Sequence, residues 1–134
     1  MEWKLEVIVL PVSDIDRAKR FYTEQLGFNC DVDTKTPVGD FRVVQLTPPG
    51  SGCSVSMVST FNEMAPGSLK GVQLTVTDIA AARQQLVERG VDVTPVRHLD
   101  DGVWQDGHGG PWNSFMFFSD PDGNSWTVQE RPTA

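Results

Sequence analysis

The fold is decided by a stretch that occurs twice, as Val12-Ser-Asp-Ile-Asp-Arg-Ala-Lys19 and as Val76-Thr-Asp-Ile-Ala-Ala-Ala-Arg83. Each copy ends an apolar segment, continues through a hydroxyl residue and an aspartate, and then carries apolar residues at helical spacing. We expect the hydroxyl of Ser13 or Thr77 to cap its helix by accepting a free backbone N–H. The chain is therefore predicted to contain two similar units.

On both sides of this repeat, the pattern in each unit predicts one strand, one helix and three further strands. The helices are expected at about Asp14 to Leu26 and Asp78 to Arg89, ended by Gly27 and Gly90. The sequence thus predicts an α+β fold of two tandem βαβββ modules in one domain, with module 1 at about 1–60, a linker at about 61–69 and module 2 at about 70–131. The expected strands are, in chain order, Val7 to Val12, Phe28 to Thr34, Phe41 to Thr47, Cys53 to Ser59, Val72 to Val76, Val91 to His98, Trp112 to Ser119 and Asn124 to Gln129.

Composition excludes several classes of function. The 134 residues carry a net charge of −7, which argues against nucleic acid as a partner. No apolar run is long enough to cross a bilayer, and the N-terminus lacks the profile of a signal peptide, so we expect a cytoplasmic protein with no membrane partner. Cys30 and Cys53 have no metal-type spacing and are expected to be reduced thiols.

Alternation along the strands assigns side chains to two faces of each sheet. Leu10, Leu74, Trp126 and their alternating neighbours are expected to pack against the helices. The opposite face of the second unit would carry polar groups. We predict that this face forms the wall of a ligand pocket. A solvent-exposed surface or a dimer contact would explain the same polar residues equally well. The polar residues of this face are Gln73, Thr75, Ser125, Thr127 and Gln129.

The segment between His98 and Trp112 is long for a connection between strands and rich in glycine, which favours a mobile flap over a pocket. Trp104, Trp112 and Phe115 offer flat apolar surface, although the alternative is that these rings fill a small core. His98 and His108 could act as acid or base groups or as metal ligands, but exposed loop histidines are commoner. Asp100, Asp101 and Asp106 are better explained as a solvated acidic loop than as a cation site.

The chain as a whole resembles the vicinal oxygen chelate proteins, which include glyoxalase I, extradiol dioxygenases and bleomycin-sequestering proteins. The resemblance rests on Val12-x-Asp14, Phe21-Tyr22, Leu26-Gly27-Phe28 and the closing Phe118-x-Asp-Pro-Asp-Gly-Asn124. It implies cupped mixed sheets around a pocket and a homodimer.

The resemblance also implies where a divalent metal would be bound. The usual ligand positions fall at Val7, Gly71 and Thr127, none of which offers an imidazole or a carboxylate. A register shift of one residue would bring in Glu6 or Glu130, but it would turn the core residues outward. We therefore expect no cofactor and no metal at the usual site, while a divalent metal at a non-standard site stays open.

Three functions follow as hypotheses. The first is a binding protein of the antibiotic-resistance type that sequesters a small, partly aromatic or cationic molecule. The second is a lyase, isomerase or dioxygenase that uses either a relocated metal near His108 and the loop aspartates or His108 itself as acid or base. The third is a ligand-sensing domain. The candidate ligand-binding residues are Gln73, Trp104, His108, Trp112, Phe115, Thr127 and Gln129.

Overall fold

The computed structural model describes residues 1–36, 41–59 and 63–133. Contacts divide the chain into two compact units: the first is Met1–Leu69 with Asp120–Asn124, and the second is Lys70–Ser119 with Ser125–Ala134. Each unit contains a mixed sheet and a main helix, so the predicted α+β class is confirmed. The predicted linker, about 61–69, lies partly outside the described residues. No helix in the described ranges has the length and apolarity needed to span a membrane.

The first unit is built on a four-stranded sheet. Its strands are β1 (Val7–Val9), β2 (Asn29–Lys35), β3 (Arg42–Thr47) and β4 (Ser54–Val58), in the spatial order β1-β4-β3-β2. The first strand runs parallel to β4 and the other neighbours are antiparallel. The most buried apolar side chains of the sheet and the segment beside it are Leu10, Val44, Leu46, Val55 and Met57. Two hydroxyl residues of β4, Ser54 and Ser56, are buried with them, each 7% exposed.

The first helix begins as expected but changes its geometry halfway. The α-helical part α1 (Ile15–Arg20) continues into a π-helical turn, Phe21–Gln25, in which the Leu26 N–H donates to the Phe21 carbonyl at 3.1 Å. Ala18 and Tyr22 are completely buried. Gly27 follows with a φ of 76°, the left-handed conformation expected after a helix.

The second unit is built on a five-stranded sheet with one helix, α2 (Ile79–Glu88). Trp126 and Val128 are 1% and 2% exposed, and the Trp126 ring stacks on Phe118 at 6.0 Å, which agrees with the predicted core face. The strands are β5 (Val72–Val76), β6 (Arg97–Asp100), β7 (Val103–Asp106), β8 (Phe115–Ser119) and β9 (Ser125–Glu130), in the order β5-β9-β8-β6-β7.

Strand bounds in the second unit differ from the predicted ones. The segment Val91 to Val96 is not a strand, although Val91 is buried. Pro95 has no N–H to donate to a neighbouring strand. Most of the predicted flap is instead the β6-β7 hairpin. Its turn is Asp101-Gly102, with φ values of 52° and 76°, the paired positive φ that a two-residue hairpin turn requires. The hairpin adds one strand to the predicted βαβββ order.

The helix caps also differ from prediction by one residue. Asp14 Oδ1 accepts from the Arg17 N–H, and Asp78 Oδ1 accepts from the Ala81 N–H, both at 3.0 Å. A carboxylate satisfies the free N–H and also offsets the positive end of the helix dipole. Ser13, which was expected to be the cap, donates instead to Asp122 Oδ1 at 2.5 Å.

The turn Asp120–Asn124 follows β8 in the chain but belongs to the first unit by its contacts, whereas the sequence assigns it to module 2. Asp120 is 5% exposed, and its Oδ1 accepts the backbone N–H groups of residues 122, 123 and 124 at 2.9 to 3.0 Å. Its Oδ2 accepts from the Tyr22 hydroxyl and from Asn124 Nδ2, both at 2.7 Å. The motif that carried the family resemblance is therefore a buried structural network.

Asn124 extends this network into the rest of the first unit. Its Nδ2 also donates to the Pro11 carbonyl at 2.9 Å, and its Oδ1 accepts from the Leu69 N–H at 3.1 Å. Gly67 passes so close to the turn that an added Cβ would lie 2.0 Å from the Asp122 carbonyl oxygen. The turn thus contacts the chain at Pro11 and again at Gly67 and Leu69.

Candidate functional site

One face of the second unit's sheet combines amides, hydroxyls and aromatic rings, and we call it the polar-aromatic face. Because Trp126 and Val128 point into the core, Thr127 and Gln129 lie on the opposite side of β9. Thr127 pairs with Gln73 on one side and with Phe117 on the other. The face includes Gln73, Thr75, Arg97, Leu99, Trp104, Asp106, Phe115, Phe117, Thr127 and Gln129.

The aromatic part of this face is a cluster of three rings. The Trp104 ring centroid lies 5.5 Å from that of Phe115 and 5.5 Å from that of Phe117, in edge-on geometry with both. Trp104 remains 46% exposed, so the cluster presents apolar surface to the outside. Phe117 was missed by the sequence reasoning, although its two-residue spacing from Phe115 places it on the same face.

The polar part is a directed chain of hydrogen bonds. Gln73 Nε2 donates to Gln129 Oε1 at 2.5 Å, and Gln129 Nε2 donates to the Trp112 carbonyl at 2.8 Å. The two amides are thereby fixed in orientation, which leaves the Gln73 Oε1 as an acceptor at one end. Thr127 and Phe117 also line a cavity of about 490 Å³, a volume within the range of small-molecule sites. Its other walls are Asp92, Val93, Thr94, Pro95, Phe118, Ser119, Ser125 and Trp126, so the two glutamines and Trp104 lie outside it.

The predicted ligand-binding residues fall into two groups. Gln73, Trp104, Phe115, Thr127 and Gln129 lie on the polar-aromatic face, as the strand registers above require. His108 and Trp112 instead line a separate cavity of about 320 Å³, together with Pro111, Glu130 and Pro132. We call it the His108 cavity.

A carboxylate links His108 to the start of α2. Glu130 Oε1 lies 2.5 Å from His108 Nε2, and Glu130 Oε2 accepts from the Ile79 N–H at 3.0 Å. The Glu130 side chain is 21% exposed and that of His108 is 57% exposed. This contact was missed from sequence, where Glu130 was considered only as the product of a shifted register. Within the described residues His98 makes no contact of this kind, since its Nδ1 is hydrogen-bonded to the backbone carbonyl of Gly107 at 2.8 Å.

The usual metal positions have no strong ligands in either unit. Val7 is 39% exposed and apolar, and Gly71 has no side chain. Ser56 pairs with Val9 of the first strand of unit one, and Thr127 pairs with Gln73 of the first strand of unit two, so Ser56 and Thr127 occupy equivalent positions. Both units therefore carry a hydroxyl where a carboxylate would be needed to bind the metal ion.

The aspartates of the acidic loop do not gather into a cluster in the described ranges. No group of three or more histidine, cysteine, aspartate or glutamate side chains gathers in residues 1–36, 41–59 and 63–133. Asp106 lies 3.7 Å from the Arg97 guanidinium, which makes it an exposed ion-pair partner. Asp101 forms the hairpin turn.

The strongest electrostatic feature of the first unit is an ion-pair network around Arg42. Arg42 Nε and Nη2 donate to the two oxygens of Asp33 at 3.0 and 2.9 Å, and Lys19 Nζ donates to the same carboxylate at 2.7 Å. The Arg42 hydrogen bonds, followed by that of Lys19, hold the pKa of Asp33 well below its usual range. Asp16 completes the network through Arg42 Nη1 at 2.7 Å.

Known proteins resemble the chain over nearly its full length. An antibiotic binding protein from Streptomyces sp. CB03234, TnmS3, is 34% identical with a TM-score of 0.77, covering 97% of both chains. A glyoxalase/bleomycin resistance protein from the same organism is 35% identical with a TM-score of 0.73, covering 94% of this chain and 99% of the other. A glyoxylase-like domain-containing protein of Didymella fabae is 25% identical over 125 residues, covering 93% and 91%. Because the model of the Glyoxalase/Bleomycin resistance protein/Dioxygenase superfamily matches residues 4–128, the chain belongs to that superfamily.

Proposed function

We propose that this protein binds a small, partly aromatic molecule on the polar-aromatic face and does so without a metal ion. The observation that carries the proposal is the exposed Trp104-Phe115-Phe117 cluster beside two hydrogen-bonded glutamines. Aromatic rings supply most of the contact area for a planar ligand, while a few fixed polar groups orient it. The Gln73 and Gln129 amides, with the Thr127 hydroxyl, provide such groups.

The chemistry of the usual metal positions supports binding over metal catalysis. A hard divalent cation needs several oxygen or imidazole ligands, and Val7, Gly71 and Thr127 together offer one neutral hydroxyl. A Lewis-acid mechanism at those positions would therefore lack the groups that hold the ion. Without ligands for a cation, the aromatic rings and amides of the polar-aromatic face are the groups available to hold an organic molecule.

The relatives support the same reading. TnmS3, at 34% identity and a TM-score of 0.77, is an antibiotic binding protein, and we carry antibiotic binding to this chain as part of the proposal. The net charge of −7 would attract a cationic ligand at low ionic strength. The implied homodimer and the cytoplasmic location belong to the proposal as well, and sedimentation velocity of the purified protein tests the dimer.

The binding proposal is tested by comparing two neighbours on one strand. Trp104 lies on the polar-aromatic face, whereas Val103, 57% exposed, points to the other side of β7. Bleomycin and a panel of aromatic antibiotics are titrated against wild type, Trp104→Ala and Val103→Ala by calorimetry. We expect Trp104→Ala to weaken binding by about tenfold or more, equivalent to about 1.4 kcal/mol, and Val103→Ala to leave it unchanged. Equal affinities for the two variants would refute the assignment of this face.

A second candidate, a metal-free acid-base enzyme, is favoured by the contact between His108 and Glu130. The two functions differ in what becomes of the ligand. A binding protein returns the ligand with its mass unchanged after prolonged incubation, whereas an enzyme converts it and loses turnover on His108→Ala. Mass spectrometry of the released ligand distinguishes them.

A further inference from the structure

The His108 cavity contains an ordered acid-base pair that the polar-aromatic face does not use. Both oxygens of Glu130 are engaged, one by His108 Nε2 at 2.5 Å and the other by the Ile79 N–H at 3.0 Å. A carboxylate held at both oxygens cannot rotate freely, so it fixes the plane and the tautomer of the imidazole it contacts. Glu130 is therefore a positioning residue for His108.

The contact with Glu130 defines what the other ring nitrogen can do. A carboxylate accepts, so His108 Nε2 carries the proton of that hydrogen bond and Nδ1 of the neutral ring keeps a lone pair. Within the described part of the chain Nδ1 has no hydrogen-bond partner, and the residue is 57% exposed on its side chain. The ring, which lines the cavity, thus offers a hydrogen-bond acceptor at Nδ1.

Close contacts and hydrogen bonds fix the backbone around His108. Gly109 passes so close to Asn113 that an added Cβ would lie 2.1 Å from its carbonyl oxygen, and the Gly109 N–H donates to the fully buried Ser114 hydroxyl at 2.9 Å. Asn113 in turn bonds both backbone groups of Leu99, at 2.8 and 2.9 Å. Trp112 adopts a φ of 62°, a conformation that is costly for a residue with a side chain and persists where the surrounding structure holds it.

We infer that the His108 cavity binds a small planar aromatic molecule bearing an acidic hydroxyl, such as a phenol or an enol, separately from the ligand of the polar-aromatic face. Trp112, Pro111 and Pro132 provide apolar surface for the ring of the ligand. The hydroxyl donates to His108 Nδ1. When the proton transfers, the ligand O–H bond breaks, an N–H bond forms at Nδ1, and the electron pair stays on the ligand oxygen, so nothing is oxidised or reduced.

The probe is 4-nitrophenol, because its phenolate absorbs at a longer wavelength than the phenol and reports the proton transfer directly. At a pH where the free probe is mostly protonated, adding wild-type protein should increase the phenolate absorbance in a saturable way. We expect His108→Gln to reduce that increase by about tenfold, since an amide does not take up the proton. Trp112→Ala should weaken binding of the probe by a similar factor through loss of ring contact.

The matched control is Trp104→Ala, which alters the polar-aromatic face and should leave the phenolate signal unchanged. A second control is 4-nitroanisole, which has the ring without the hydroxyl and should not displace the probe at equal concentration. His108→Gln and Trp112→Ala change exposed side chains and leave the contact between Glu130 and Ile79 intact, and circular dichroism verifies their folding.

Absence of a phenolate signal with wild type would overturn the inference, as would a signal that survives His108→Gln or disappears with Trp104→Ala. Because the proposed function depends on Trp104 and this inference on His108 and Trp112, the failure of one is distinguishable from the failure of the other.

Discussion

Replacing Asp120 with asparagine should strongly destabilise the protein, although the change is isosteric. The carboxylate is 5% exposed and accepts from three backbone N–H groups, from the Tyr22 hydroxyl and from Asn124 Nδ2. Asparagine keeps the shape but removes the charge and substitutes an NH₂ donor for one acceptor. If Oδ1 remains the acceptor for the turn, the new NH₂ faces Asn124 Nδ2, so two donors meet in a buried place.

The magnitude follows from these contacts. A hydrogen bond to a charged group contributes about 1.5–3 kcal/mol and a neutral one about 0.5–1.5 kcal/mol, while a buried unsatisfied donor costs about 1–3 kcal/mol. We therefore expect Asp120→Asn to lower the free energy of unfolding by about 3–5 kcal/mol. Tyr22→Phe removes one donor and leaves the carboxylate its other partners, so its expected cost is about 1–2 kcal/mol.

The assay is urea denaturation followed by both circular dichroism and tryptophan fluorescence. Ser119→Ala is the control, because Ser119 is exposed beside the same turn and its substitution should change the stability by less than about 0.5 kcal/mol. The double variant should show coupling, since Tyr22→Phe costs less once the charge of Asp120 is gone. A loss below about 1 kcal/mol for Asp120→Asn, or strict additivity with Tyr22→Phe, would refute the account of the turn.

Two further predictions concern other contacts. Gly109→Ala should lower the free energy of unfolding by about 1–3 kcal/mol in urea denaturation, because the added Cβ would lie 2.1 Å from the Asn113 carbonyl oxygen. Gly110→Ala is the control, since the space around its Cβ is open. Equal stability of the two variants would contradict the close approach. Asp33→Asn should flatten the fall in the free energy of unfolding at acid pH. The Arg42 hydrogen bonds lower the pKa of Asp33, so the stability that Asp33 contributes is complete above about pH 5 and is lost as the pH falls from about 4. Parallel acid limbs for variant and wild type would show that Asp33 makes no such contribution.

The helices and the core faces were predictable because local signals specify them. Aspartate after a hydroxyl residue marks each helix start, and the glycines at 27 and 90 mark the ends, although the cap proved to be the aspartate. Two-residue alternation correctly assigned Trp126 to the core and, with it, Thr127 and Gln129 to the opposite face.

The β6-β7 hairpin was missed although its signal was present. Asp101-Gly102 is a favoured two-residue hairpin turn, but the flanking residues of β7 are all exposed and do not alternate in polarity as a half-buried strand does. The π-helical turn at Phe21–Gln25 was also missed, because the apolar spacing that predicts this helix does not distinguish an α-helical turn from a π-helical one.

The candidate site was only partly predictable for a related reason. Residues on the polar-aromatic face follow from strand alternation, and those predictions needed only the register. The contact between His108 and Glu130 joins a loop to a strand 22 residues away, and it depends on how the loop closes around Gly109. Spacing along the chain carries no information about such a contact, so His108 was assigned to the same pocket as Trp104.

We propose that this superfamily member holds an organic ligand and needs no metal ion to do so. The most direct test is native mass spectrometry of protein purified without chelators and then incubated with bleomycin and the aromatic antibiotic panel. We predict one ligand adduct per chain on a protein whose mass includes no metal ion, and the same adduct after treatment with EDTA. A stoichiometric metal ion in the untreated protein, with loss of the adduct on its removal, would contradict the claim.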